Sequence, residues 1–113
     1  MKQIDKISLK ELEIMASKMY GSFVKAVVDV NKKLVVVDAE MHVDLEQWLL
    51  ENGCQQFDLW GVNLYPAQFG TAKFIEYDSM INIRPSQQNP SREALSESIR
   101  TQIEAIIKEV VHE

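Results

Sequence analysis

The sequence predicts a single α+β domain over residues 1–113, with about five short strands in an antiparallel or mixed sheet and three amphipathic helices packed mainly on one face. Three observations carry this. Apolar residues recur at helical spacing in three separate stretches, and in others they alternate or run together over about four to eight residues. The strand-like stretches are also mostly joined by short turn sequences, a hairpin pattern rather than a regular strand-helix alternation.

In chain order, Ser8 with Glu11 forms a capping box, Ile7 with Leu12 matches a hydrophobic staple, and Leu12, Met15, Ala16 and Met19 make one stripe. The first helix is expected over 9–20, ended by Gly21. From Phe23 to Val30, Val24, Ala26, Val28 and Val30 alternate as in a strand, and Asn31-Lys32-Lys33 turns the chain into the β-branched run Leu34–Val37. Those two strands are expected to form an antiparallel hairpin in the middle of the sheet. Asp38 is the expected cap of a second helix whose buried face is Met41, Leu45, Trp48 and Leu49, stopped at Asn52-Gly53.

Trp60, Val62 and Leu64 alternate in a third strand that Pro66 closes, and the crossover through the second helix suits a parallel relation between it and the Val37 strand. Lys73–Tyr77 and Met80–Arg84 are expected to pair around Asp78-Ser79, with Tyr77 facing Met80 and Ile75 facing Asn82. The last helix carries Leu95, Ile99, Ile103, Ile106, Ile107 and Val110 on one stripe. Two starts satisfy capping chemistry, Asn89 followed by Pro90 or Ser96 followed by Glu97. The later start leaves Pro85–Leu95 as an irregular segment of the length at which loops are usually functional.

Composition excludes some functions. The net charge of −5 disfavours nucleic acid, and apolar runs far below the roughly 20 residues of a membrane span exclude a membrane-spanning role. The lone Cys54, and the lack of an apolar signal-like stretch in Met1–Lys6, lead us to expect a cytoplasmic protein. No cofactor-binding signature is present, so none is expected.

Two groupings carry candidate chemistry. Asp38, His42 and Glu46 share a side if the segment is helical and offer carboxylate and imidazole ligands to a divalent metal, although capping and dipole compensation explain the acids as well. Arg84 and Arg92 bound a loop of Ser86, Gln87, Gln88, Asn89 and Ser91, and guanidinium groups suit bidentate recognition of carboxylate or phosphate. Gly61, inside the Trp60 strand, either permits a close approach or marks a bulge.

Three motifs, Val36-Val37-Asp38-Ala39-Glu40-Met41-His42, Leu59-Trp60-Gly61-Val62-Asn63 and Asp78-Ser79-Met80-Ile81-Asn82-Ile83-Arg84-Pro85-Ser86-Gln87, resemble those of a prokaryotic family of unknown function, domain of unknown function 5674. The resemblance implies a small bacterial or archaeal protein without an established activity. It makes Glu40, His42, Asn63, Asp78, Asn82, Arg84 and Arg92 the positions of interest.

The favoured expectation is a non-enzymatic binding or interaction module, with self-association open. In it Asn63, Tyr77, Asn82, Arg84 and Arg92 line a polar site for an anionic small molecule or an acidic protein segment. The alternative is a metal-assisted hydrolase using Asp38, His42 and Glu46, with Asp78 as base.

Overall fold

A computed structural model describes residues 1–113. The first strand, β1 (Lys2–Ile4), lies on the edge of the main sheet, and β2 (Ile7–Ser8) leads into helix α1 (Leu9–Ser17). The capping box forms as expected. Ser8 Oγ accepts from the Glu11 backbone N–H at 3.1 Å and donates to Glu11 Oε1 at 3.2 Å. The helix ends three residues earlier than the expected residue 20. Gly21 takes a left-handed φ of +87° and donates its N–H to Ala16 O at 2.7 Å, which wraps residues 18–20 into a turn beneath the helix end.

Strands β3 (Val24–Asp29) and β4 (Leu34–Val37) form the expected antiparallel hairpin, in register Val27 with Val36 and Asp29 with Leu34. Asp29 is fully buried at the corner, and one carboxylate oxygen accepts from the N–H groups of Asn31 and Lys32 at 2.9 and 2.8 Å. This is the side-chain turn for which aspartate is suited. With β5 (Leu59–Leu64) and β6 (Ile75–Glu76) the sheet runs β1-β4-β3-β5-β6, antiparallel throughout. Strands β4 and β5 both run against β3, so they are parallel to each other, as the crossover suggested, but with β3 between them. Helix α3 (Glu97–Val110) passes directly into β7 (Val111–His112), which pairs parallel with β2.

Helices α1 and α3 cover one face, burying Leu12, Ala16, Ile103, Ile106 and Ile107 against Val24, Ala26, Val28, Val35, Val37, Val62 and Leu64. Helix α2 (His42–Glu51) covers the other, with Leu45 and Leu49 on Val27, Val36 and Leu59. The domain is therefore α+β, with two of three helices on one face. No helix is long and apolar enough to cross a membrane.

Three expectations are corrected, and the start of the last helix, open between two positions, is decided. Asp38 does not cap α2. It has a left-handed φ of +72°, because the chain must reverse as it leaves β4, and the helix begins only after Met41, which offers no capping side chain. That later start turns the buried face to His42, Leu45, Glu46 and Leu49 and leaves Met41 50% exposed. The hairpin around Asp78-Ser79 does not form. Only Ile75–Glu76 is a strand, and Met80–Asn82 is a 3₁₀ turn capped by Ser79, whose Oγ accepts from Ile81 N–H at 3.3 Å. Asn89 does not start the last helix. Ser96 does, its Oγ accepting from Ile99 N–H at 3.2 Å, so Pro85–Leu95 is indeed irregular.

Candidate functional site

Strand β6 pairs with β5 only at Leu64 and Asn63. Further along the same strand, at Gly61, a side chain replaces the missing partner. The Asn82 amide donates to Gly61 O and accepts from Gly61 N–H, both at 2.9 Å, so it acts as a single peptide unit docked on the strand. Its Nδ2 also donates to Arg92 O at 2.9 Å. Gly61 has to be glycine there: a Cβ would stand 2.7 Å from Ser79 Cβ and Oγ and 3.2 Å from His42 Cδ2.

The segment beyond Asn82 is held from within. Arg84 and Asn89 exchange backbone bonds, N–H to O at 2.7 and 3.1 Å, closing a loop over the 3₁₀ turn Pro85–Gln87, with Gln88 left-handed at φ +57°. The buried Asn89 amide then donates to Asn82 O, Ser91 O and Glu93 O and accepts from Leu95 N–H. Two asparagines thus organise the irregular stretch, with their side chains supplying the partners a regular element would have provided.

What this frame positions is Arg84. Its side chain folds inward, leaving the residue 8% exposed, with the guanidinium carbon 4.3 Å from the Trp60 ring centroid. Nη1 donates to Gln56 O. Nε and Nη2 have no hydrogen-bond partner, and neither does Nε1 of the Trp60 ring that the guanidinium lies on. Nε–H and Nη2–H are parallel donors on one edge of the guanidinium plane, the fork that grips a carboxylate or phosphate side-on. The ion pairs of the chain, Arg92 with Asp78 and Arg100 with Glu93, do not involve Arg84. Burial lowers the Arg84 pKa, opposed by the charges of Glu46 and Asp58. Burial likewise pushes the Glu46 carboxyl above its ordinary range, opposed by the Gln56 amide and the Arg84 charge.

The other expected site residues divide into three places. Asn82 is fully buried and occupied by the backbone. Tyr77 lies against α3, with Arg100 4.9 Å from its ring and its hydroxyl 3.4 Å from Arg100 O and Glu104 Oε1. Asn63 and Arg92 sit with Asp78: Asn63 Nδ2 donates to Glu76 Oε1 at 2.8 Å and more weakly to Asp78 O at 3.4 Å, and Arg92 Nε bonds Asp78 Oδ1 at 2.5 Å. The five residues do not line one surface, because the hairpin that would have aligned them is replaced by the Asn82 docking.

Asp38, His42 and Glu46 do not form a metal centre either. Asp38 stands outside the helix, and no group of three histidine, cysteine or acidic side chains comes together as ligands. His42 instead bonds Val62 O through Nε2 at 2.8 Å. Burial lowers its pKa to about 4, assisted by Lys25 and Arg92 and opposed by that bond and Asp78, so it is neutral at pH 7. Its other nitrogen, Nδ1, is then the unprotonated one. Burial, with Asp29 adding to it, pushes the Cys54 thiol up to about 11, which leaves no reactive thiolate.

Sequence reasoning missed Gln56 and Trp60 as the surroundings of Arg84 and read Glu46 as a metal ligand or a dipole-compensating acid, whereas the structure buries it. One signal was available: with His42 and Glu46 inward, two polar residues interrupt the apolar stripe of Leu45 and Leu49. The three main surface grooves lie elsewhere. The largest, about 630 Å³, runs between α3 and the β1 edge, lined by Ile4, Val30, Leu34, Ile106 and Val110 among others.

No curated protein and no solved structure matches the chain. A family model described as "Protein of unknown function (DUF5674)" matches residues 2–110, and the chain belongs to that family.

Proposed function

We propose that the protein is a small binding module whose recognition element is Arg84 and whose ligand presents a carboxylate or phosphate. The observation that carries this is the free Nε/Nη2 fork on an enclosed, otherwise fixed guanidinium. Holding a charge away from water without a close counter-charge costs several kcal/mol, and an anion gripped by both N–H groups would recover much of that. The rigid frame of Asn82 and Asn89 supports the reading, because a pre-positioned fork loses little freedom on binding. Its enclosure favours a small molecule over an acidic partner segment. Asn63 and Arg92 lie in a neighbouring cluster and are not required. No observation supports the hydrolase alternative.

The test is a melting-temperature titration with formate, acetate and phosphate at constant ionic strength. At a hundredfold excess over Kd, binding stabilises by about 2.7 kcal/mol. Arg84→Lys keeps the charge and loses the fork, so it should abolish the response. Equal responses in both proteins, or none in the wild type, would refute the proposal.

A further inference from the structure

Resting on that reading, we infer that the anion held at Arg84 is a tetrahedral oxyanion, inorganic phosphate or the phosphate group of a small monoester, because the site offers a third donor, the indole N–H of Trp60. The Arg84 guanidinium carbon lies over the Trp60 ring, 4.3 Å from its centroid. Trp60 Nε1, Arg84 Nε and Arg84 Nη2 are all enclosed without a hydrogen-bond partner. Both side chains are more than nine-tenths buried, Trp60 at 3% exposure and Arg84 at 8%. An indole and a guanidinium only donate, so the three unmet groups all call for acceptors and none can satisfy another.

The donors issue from two levels. The fork leaves the edge of the guanidinium plane, and the indole N–H leaves the edge of the ring over which the guanidinium lies. A carboxylate is planar, and its oxygens accept best near that plane. When both oxygens meet the fork side by side, the carboxylate plane continues the guanidinium plane, and no lone pair is aimed at the level of the indole.

A tetrahedral anion turns two oxygens to the fork and holds a third out of their plane, towards the second level. Three of its four oxygens are then matched by three N–H groups, and the fourth is free to carry an ester carbon. The donors are also pre-positioned. Arg84 Nη1 is fixed on Gln56 O and the indole is packed in the main core, so little has to be ordered when the anion arrives.

The experiment titrates the whole chain with inorganic phosphate, nitrate and acetate at matched ionic strength, at a mildly acidic pH where each carries close to one negative charge. Shape then separates the probes, because nitrate has three oxygens in one plane. Phosphate should bind the wild type at least about tenfold more tightly than nitrate or acetate by calorimetry, the worth of one further hydrogen bond to a charged group. The chain has two tryptophans, and Trp48→Phe identifies the indole N–H resonance of Trp60. Saturating phosphate should move that resonance downfield, and acetate should leave it nearly in place. Trp60→Phe keeps an aromatic ring under the guanidinium and removes the donor, so phosphate should fall to the level of nitrate, whereas Arg84→Lys should lose all three probes. If Trp60→Phe does not fold, the resonance in the wild type decides. Methyl phosphate assigns the source: binding as tight as phosphate identifies a monoester, and its exclusion identifies free phosphate. Equal affinities for phosphate, nitrate and acetate, or a Trp60 resonance unmoved at saturating phosphate, would overturn this inference and leave the anion site standing. No binding of any probe would refute the anion site itself.

Discussion

Removing the Asn82 amide tests whether this residue is a structural unit or a ligand contact. Asn82→Ala deletes three bonds of 2.9 Å and leaves Gly61 N–H, Gly61 O and Arg92 O without their partner. The two Gly61 groups are buried, and each buried group left unmet costs about 1–3 kcal/mol. Arg92 O is partly open to water and adds less. The sum is about 3–5 kcal/mol, a large part of the roughly 5–15 kcal/mol that holds a domain of this size together. With a urea slope of about 1.5 kcal/mol/M, the midpoint should fall by about 2–3 M at unchanged slope. Asn82→Asp should be at least as damaging, because it turns an acceptor toward Gly61 O and Arg92 O. A loss below about 1 kcal/mol for Asn82→Ala would refute the account of this side chain as a substitute strand.

Three further outcomes follow from the same geometry. Gly61→Ala should destabilise by about 1–3 kcal/mol through contact with Ser79 and His42, and urea melts should show part of that cost relieved when it is combined with Ser79→Gly. His42 has a folded pKa depressed to about 4 from 6.5, so its contribution is fully present above pH 6.5 and is lost as the pH falls towards 4. In melts across that window His42→Gln should remove about 2–3 kcal/mol of pH dependence. The Arg92–Asp78 pair, with side chains 52% and 45% exposed, should contribute under about 1 kcal/mol, so Asp78→Asn should shift the melt little, and less still in 1 M salt.

Where structure depends on near neighbours, the sequence was a sound guide. Ser8 and Ser96 cap α1 and α3 because a hydroxyl three residues before a free N–H is a local arrangement. The β3–β4 hairpin follows from an apolar alternation, a β-branched run and a turn, all within Val24–Val37. The candidate site was legible only in part. Arg84 stood out as a guanidinium next to a proline-punctuated loop, but the residues that touch it, Gln56 and Trp60, come from 28 and 24 positions away, and no periodicity links them to it.

The failed hairpin shows the physical limit most clearly. Lys73–Arg84 has the alternation of two strands, yet β6 stops after Glu76. The edge of β5 is completed instead by one amide reaching from Asn82 to Gly61, 21 residues away. By itself the sequence determined the α+β class, the Ser8 cap of the first helix and the central strands, since burial patterns and capping act over one or two turns of chain. Only the tertiary structure decided which side chain would serve as backbone and which arginine would be enclosed with its fork unpaired. Those outcomes depend on hydrogen bonds and burial between segments that meet only after the sheet has formed.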